Sequence, residues 1–300
     1  MSARTDRSSG SAADGDAPAC FRQQDWRWLV GRTMTLFAVV LLALLTSVVD
    51  ADAQGVQRFV RFAQGGGAAW GEVVDQTVHV LSDAPYLGGE RTGSTMPISQ
   101  VELRAPVDPT QIFMTAFNFR SHISGDPAEY PGLFLVPPSS IIGPEQDIVR
   151  PAESQNLHYE AEMVVVVGRE AANVPLEDAS DYVFGVAAGN DVSERLWQRN
   201  DIQWSRAKGS RTFNAVGPQL VTGLDYGNLD IEGRHNGERV QGENTADLIF
   251  SIDYMLHYIS QYFTLYPGDL IWTGTMGSTR AMEPGDVYEV EVQGVGVLRN

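Results

Sequence analysis

Residues 158–168 of this chain read HYEAEMVVVVG. Four consecutive valines are stiff at χ1 and favour the extended chain, and an apolar run without alternation must be covered on both faces. The fold therefore needs a sheet with a layer on each side of this strand. Just ahead of the run, side chains alternate between faces, so His158, Glu160 and Glu162 point the same way. Two carboxylates on one face repel, and burial raises the cost. Something positive must sit between them.

The rest of the chain supports a strand-dominated reading. VQRFVRFAQGGGAAWGEVVDQTVHVL, from residue 56, has two alternating runs around a glycine triplet and predicts a β-hairpin or meander. That piece continues to Val107-Asp108-Pro109, where turn residues mark a boundary. QIFMTAFNF (111–119) opens the larger part, and a loop with Pro127, Pro131, Pro137 and Pro138 follows. Strands are expected at 163–168 and 183–190, with a short helix at 177–182 and Ser193 capping a helix through ERLWQ. Leu248, Ile249, Ile252, Met255, Leu256, Ile259 and Phe263 fall at three- and four-residue spacing, an amphipathic helix. LIWTGT reads as a strand, and VYEVEV with GVGVLRN as a closing strand pair, each after a Pro-Gly-Asp turn. With no sustained strand–helix alternation, the expected class is mixed α/β and strand-dominated.

Charge narrows the partners. The formal net charge is −17 and no basic cluster is present, which argues against nucleic acid or an anionic membrane surface.

The first 53 residues read differently. Residues 1–20 are rich in Ser, Ala, Gly and Asp and are expected to be disordered. Arg22, Arg27 and Arg32 precede an apolar run at 36–45, and Ala51-Asp52-Ala53 follows. A positive flank, a short apolar core and an A-x-A site make a secretory signal, cleaved before Gln54, which predicts a periplasmic or secreted product. The alternative is a membrane anchor at residues 34–49, and Met34 is an alternative start. The single cysteine, Cys20, precedes the expected cleavage site, so the mature chain carries no thiol nucleophile and no zinc–thiolate site.

The chemistry concentrates further on. A third acid, Asp191, ends the AAGND stretch. Glu160, Glu162 and Asp191 supply only oxygen, which suits a hard ion: Mg²⁺, Mn²⁺ or Ca²⁺. Residues two apart on a strand are about 6.6 Å apart, close enough for Glu side chains to converge. Lys208 is the one lysine in a chain that otherwise uses arginine, a compact ammonium with a tunable pKa. Arg195 and Gln198, three apart just after Asp191, share a face of a helical turn.

HYEAEMVVVVG, GNDVSERLWQ, RAKGSRTFNAVGP, NGERVQGENTADLIF and LYPGDLIWTGT occur in that order. Together they resemble the fumarylacetoacetate hydrolase family, over residues 54–300. The resemblance implies a mixed β-sandwich roll, usually dimeric, with a small N-terminal β subdomain at 54–109 and a catalytic domain at 110–300. It implies Mg²⁺ or Mn²⁺ on Glu160, Glu162 and Asp191, with Lys208 near the oxygens of a small carboxylate substrate. Arg195 and Gln198 become substrate contacts, and Gly274 and Thr275 match a TGT turn that offers donors to a carboxylate. His122, in NFRSH, matches the family's general base.

The activity so implied is metal-dependent C–C bond hydrolysis of a 2-oxo acid or 1,3-diketo acid, in a family that mostly serves cytosolic catabolism. Hydration, decarboxylation or tautomerisation on the same fold is the alternative, as is an exported, non-catalytic ligand-binding relative. Three positions depart from the family pattern. Gly125 replaces a glutamate that orients the histidine, with Asp126 or Glu129 as stand-ins; Val136 replaces a lysine; Met276 replaces a proline. His158 is expected beside the site, and His79, His235 and His257 away from it.

Overall fold

The computed structural model describes residues 55–300. The signal or anchor expected in the first 53 residues, and Cys20, lie outside the described residues. No helix among the described residues is long and apolar enough to cross a membrane.

The N-terminal region forms β1 (Gln57–Gln64), β2 (Gly67–Val74), β3 (Thr77–Leu81), β4 (Arg91–Pro97) and β5 (Leu103–Arg104). Then come β6 (Ile112–Ala116), β7 (Gly132–Leu135), β8 (Ile141–Ile142), β9 (Leu157–His158), β10 (Ala161–Val167), β11 (Val183–Asp191) and β12 (Ser193–Glu194). Two short helices, α1 (Arg195–Asn200) and α2 (Ser205–Gly209), lead into β13 (Asn214–Thr222), β14 (Asp230–His235) and β15 (Glu238–Asn244). The chain closes with α3 (Ile252–Ser260), β16 (Leu270–Trp272), β17 (Tyr288–Val292) and β18 (Gly296–Arg299).

Twelve strands make one sheet, with the path β4-β3-β2-β1-β13-β11-β10-β16-β6-β7. A four-stranded sheet, β15-β14-β17-β18, forms a second layer. The N-terminal meander joins the large sheet through β1, which pairs with β13. The strand-dominated mixed fold expected from the sequence is what forms.

β10 is central, with β11 on one side and β16 on the other. Val164, Val165, Val166 and Val167 are all fully buried. Met163, Val165 and Val167 join the core under the small sheet and α3, against Ile231, Val290 and Met255. Val164 and Val166 face the other way, toward Trp272, Tyr86 and Trp70. Each valine so buried contributes about 1.5–3 kcal/mol relative to an exposed one. One strand thus feeds two cores, which is why its sequence does not alternate.

The short helix expected at 177–182 does form, as a 3₁₀ helix over Leu176–Tyr182. Several other local expectations need correction. Ser193 belongs to β12, and its hydroxyl donates to the Asp191 carbonyl. The cap of α1 is Glu194, whose buried carboxylate accepts from the Trp197, Gln155 and Asn156 amides. The amphipathic helix is shorter than its spacing suggests, because Ser251 caps it at Ile252 and the chain leaves it after Ser260. The LIWTGT strand ends at Trp272, so Thr273, Gly274 and Thr275 form a turn.

Candidate active site

Strand geometry assembles the acids. Glu162 lies opposite Gly189 and Ala161 opposite Asn190, so Asp191 falls beside Glu160, whose carbonyl accepts its amide at 2.9 Å. Glu160 and Glu162 share the parity of Val164 and Val166 and therefore one face of the sheet. Glu160, Glu162 and Asp191 each bring a carboxylate oxygen within 4.8 Å of the others, and all three are buried.

The positive partner the sequence requires is Lys208 on α2, but it bridges a different pair. Its Nζ donates to Glu160 Oε2 at 2.5 Å and to Asp191 Oδ2 at 2.6 Å. Arg195 Nη2 donates to Glu160 Oε1 at 2.5 Å. Its other terminal nitrogen, Nη1, donates to Gln198 Oε1 at 2.8 Å, as their spacing suggests. Glu162 has neither cation and accepts the Gly274 amide at 2.8 Å.

Three carboxylates against two cations leave a negative surplus in a buried place. Burial pushes Glu160 up, but Lys208 and Arg195 outweigh it and hold the carboxyl at about 2. Burial raises Asp191 to about 7, with Glu160 adding to the rise and Lys208 opposing it. Glu162 is driven well above the ordinary carboxylate range by burial and by the charges of Asp191 and Glu160. Lys208 stays charged: burial opposes the ammonium, and Asp191 and Glu160 more than offset it. Three hard oxygen donors carrying surplus charge fit a divalent cation such as Mg²⁺, Mn²⁺ or Ca²⁺.

His122 lies in a 3₁₀ turn, Arg120–His122, just after β6. Its Nδ1 sits 2.7 Å from the Gly277 carbonyl oxygen, which can only accept, so Nδ1 carries a proton. Nε2 lies 3.9 Å from Glu160 Oε1. Gly277 is held in turn, its amide donating to Ser121 Oγ.

The 273–275 turn places its donors differently from the expectation. The Gly274 amide is committed to Glu162, and the Thr275 hydroxyl donates to the Ala161 carbonyl while accepting from Gln241. Gly274 is at φ 89°, and a Cβ there would meet Asn118 and the Thr115 carbonyl at 3.0 Å, so only glycine fits. Both residues shape the face that carries the acids more directly than they offer free donors.

Sequence reasoning assigned no part to three residues that hold this arrangement. Gln241 accepts from the Ala161 amide and donates to Thr275. Asn118 donates to the Thr273 and Phe250 carbonyls and accepts the Phe250 amide. Thr279 accepts from Arg195 and lies 2.8 Å from His158 Nδ1. Gln241 and Asn118 fall inside or beside the quoted motifs; Thr279 had no signal. His158 sits beside the site as expected, pushed down to about 4 by burial and by Arg195. His235 pairs with Asp286, and His257 bonds the Val174 carbonyl, both away from the cluster.

A narrow cavity of about 20 Å³ opens onto this floor, lined by Glu160, Glu162, Asp191, Lys208, His122 and Gln198 among others. Its outer wall is aromatic: Trp204 meets Phe134 and Phe117 edge-on, with ring centroids 5.1 and 5.8 Å apart. Phe117 is at φ 60°, a left-handed conformation rare for a bulky residue. The bonds of Asn118, next in sequence, hold it there.

Known proteins share this chain's pattern. A family model described as "Fumarylacetoacetate (FAA) hydrolase C-terminal" matches residues 111–300, and one described as "Rv2993c-like, N-terminal" matches residues 57–106. Protein Rv2993c of Mycobacterium tuberculosis is 37% identical over 236 residues, covering 77% of this chain and 89% of its own. The mitochondrial oxaloacetate tautomerase Fahd2a of Rattus norvegicus is 37% identical over 220 residues, 68% of this chain and 70% of its own. The crystal structure of 2-hydroxyhepta-2,4-diene-1,7-dioate isomerase from Mycobacterium marinum superimposes with a TM-score of 0.76 at 33% identity, covering 81% of this chain and 98% of that one.

Proposed function

The chain belongs to the fumarylacetoacetate hydrolase family, and from that premise we propose that it is a divalent-metal-dependent enzyme interconverting the enol and keto forms of a small 2-oxo acid. The observation that carries this reading is the state of His122. Its Nδ1 donates to a neutral carbonyl, which turns its Nε2 toward the acid cluster. Tautomerisation takes the proton off the enol oxygen and puts one on the far carbon of the C=C bond, as the C–O bond becomes C=O; it breaks no carbon–carbon bond and consumes no water. A single oriented imidazole suffices for that transfer.

Glu160, Glu162 and Asp191 would hold Mg²⁺ or Mn²⁺, with Ca²⁺ also fitting, and the ion would supply Lewis-acid polarisation of the substrate's oxygens. Lys208 spends two of its three N–H donors on Glu160 and Asp191 and keeps the third for an oxygen that gains negative charge. Arg195 orients Glu160 and is tied to Thr279. Support also comes from two relatives, named for an oxaloacetate tautomerase and a dienedioate isomerase.

C–C bond hydrolysis of a 1,3-diketo acid, the reaction the motifs suggest first, is the second reading. The matching family model favours it, as does the placing of His122 in the same cavity as the acids. The histidine lacks the carboxylate that would stabilise it as a water-activating base. Among the described residues, the one carboxylate within 4.0 Å of its ring is that of Glu160, on Nε2. Position 125 is an exposed glycine at φ 88°, and Asp126 is exposed as well.

Enol absorbance separates the two. With Mg²⁺ or Mn²⁺ the protein should speed the decay of enolic 2-oxo acids, chelator should abolish the effect, and His122→Ala should slow it about 10²–10⁴-fold. Cleavage of a 1,3-diketo acid with no acceleration of enol decay would replace the first reading with the second.

A further inference from the structure

The aromatic wall of the cavity continues outward into a second space of about 300 Å³, which shares Ala116, Phe117, Phe134 and Trp204 with the cavity over the acids. Of the residues lining the outer space, Gln203 alone is polar and none is charged. Two of them turn apolar surface to solvent: Phe117 is 52% exposed and Ile202 fully so, at 102%. Exposed apolar side chains gathered around a site entrance mark a surface that is covered in use.

We propose that this collar receives the far end of the substrate, and that the end is uncharged and apolar, an aryl or branched alkyl group, rather than a second carboxylate. The proposal rests on the 2-oxo acid reading and narrows it. Both relatives named above are called after diacids. A second carboxylate in this collar would shed water and meet no cation among the lining residues. The two cations of the floor are already engaged, Lys208 by Glu160 and Asp191, Arg195 by Glu160.

The geometry suits a flat group. Trp204 presents its ring edge-on to both Phe117 and Phe134, at interplanar angles of 82° and 70°. An aryl tail can complete that edge-to-face set. Phe134 also lies 5.8 Å from Lys208 Nζ, so the collar begins where the charged floor ends. Phe117 is fixed in its outward, left-handed position by the bonds of Asn118, so the collar stands ready before any ligand arrives.

Two unreactive probes with the same 2-oxo acid head isolate the tail: N-phenyloxamate, ending in a ring, and N-oxalylglycine, ending in a carboxylate. Calorimetry on the Mg²⁺-loaded protein should find the phenyl probe tighter by roughly 10- to 100-fold, the size expected for burying one ring. Trp204→Ala should erase that difference by weakening the phenyl probe alone. Ile202→Asp, at a fully exposed position where folding is safe, should weaken the phenyl probe severalfold. In turnover, enol-phenylpyruvate should exceed enol-oxaloacetate in kcat/KM, with Trp204→Ala acting through KM. Equal binding of the two probes, tighter binding of N-oxalylglycine, or equal weakening of both by Trp204→Ala would overturn the assignment. Enol turnover without a tail preference would sink the collar's role and leave the tautomerase reading standing. A phenyl preference without any enol turnover would do the reverse.

Discussion

At the floor of the site, Glu160, Glu162, Asp191 and Lys208 each expose 3% or less of their surface, while at the mouth Phe117 and Ile202 stand in solvent. The acids of the floor come from strand ends locked in a hydrogen-bonded register, where a slip of one residue would turn a carboxylate to the opposite face. The mouth is gathered from the end of β6, the edge strand β7 and the loop at 202–204. A loop and a strand at the sheet edge tolerate change that a central strand does not. The contrast teaches that the centre of the sheet fixes what chemistry is available, and its edge with one loop fixes what is admitted to it.

The most severe way to break the floor is Lys208→Met. We expect the rate on any 2-oxo acid to fall about 10²–10³-fold, the effect of deleting one preorganised charge. Stability should drop by about 3–5 kcal/mol in denaturant titrations, because Glu160 and Asp191 would be left buried without their ammonium. Saturating Mg²⁺ should recover much of the stability and little of the rate. Lys208→Arg should not restore turnover, since a planar fork cannot occupy the place of a compact ammonium. Full activity in Lys208→Met would show the floor is not the reacting end.

A milder handle is pH. Asp191 is raised from an ordinary 3.8 to about 7, so its protonated form favours the folded state. That contribution is complete below about 3.8 and is lost as pH rises through about 7. The metal-free protein should therefore lose thermal stability from pH 5 to pH 8, and the gain in Tm on adding Mg²⁺ should widen over the same range. Metal affinity measured by calorimetry should fall as Asp191 takes up its proton. A Tm gain that stays flat with pH would mean Asp191 is not a ligand.

The smallest effect is expected at the mouth. Phe117→Asn places a residue tolerant of the left-handed region where Phe is strained, and should raise stability by about 1 kcal/mol in chemical denaturation. Metal affinity should not move. If it does, floor and mouth are coupled and the contrast between them is too sharp.

Much of the floor was legible in the amino-acid order, because alternation along an extended chain is a geometric rule. Glu160 and Glu162 could be placed on one face from spacing alone, and their mutual repulsion called for a cation. Which pair that cation would bridge was not legible, since it depends on how α2 packs against β7 and β12. Glu194 was read as part of a helix and is instead its cap, a role set by the three amides that reach it. The donors of Gly274 and Thr275 looked free in the motif, yet they are engaged by Glu162 and Ala161 from a neighbouring strand. The collar left no trace at all, because Phe117, Phe134, Ile202 and Trp204 have no common period and meet only through the fold.

The pairing of β1 with β13 bears on how this architecture tolerates shortening. Phe59 opposes Leu220 and Arg58 opposes Val221, so the meander closes a strand that would otherwise end the sheet. Removing residues 57–104 would leave β13 with a bare row of amides and carbonyls and would uncover the greasy side against which Phe59, Trp70 and Tyr86 lie. Such a rim invites a second molecule to dock in place of the missing strand. The N-terminal strands thus act as a seal against polymerisation, a duty separate from anything that happens at the acids.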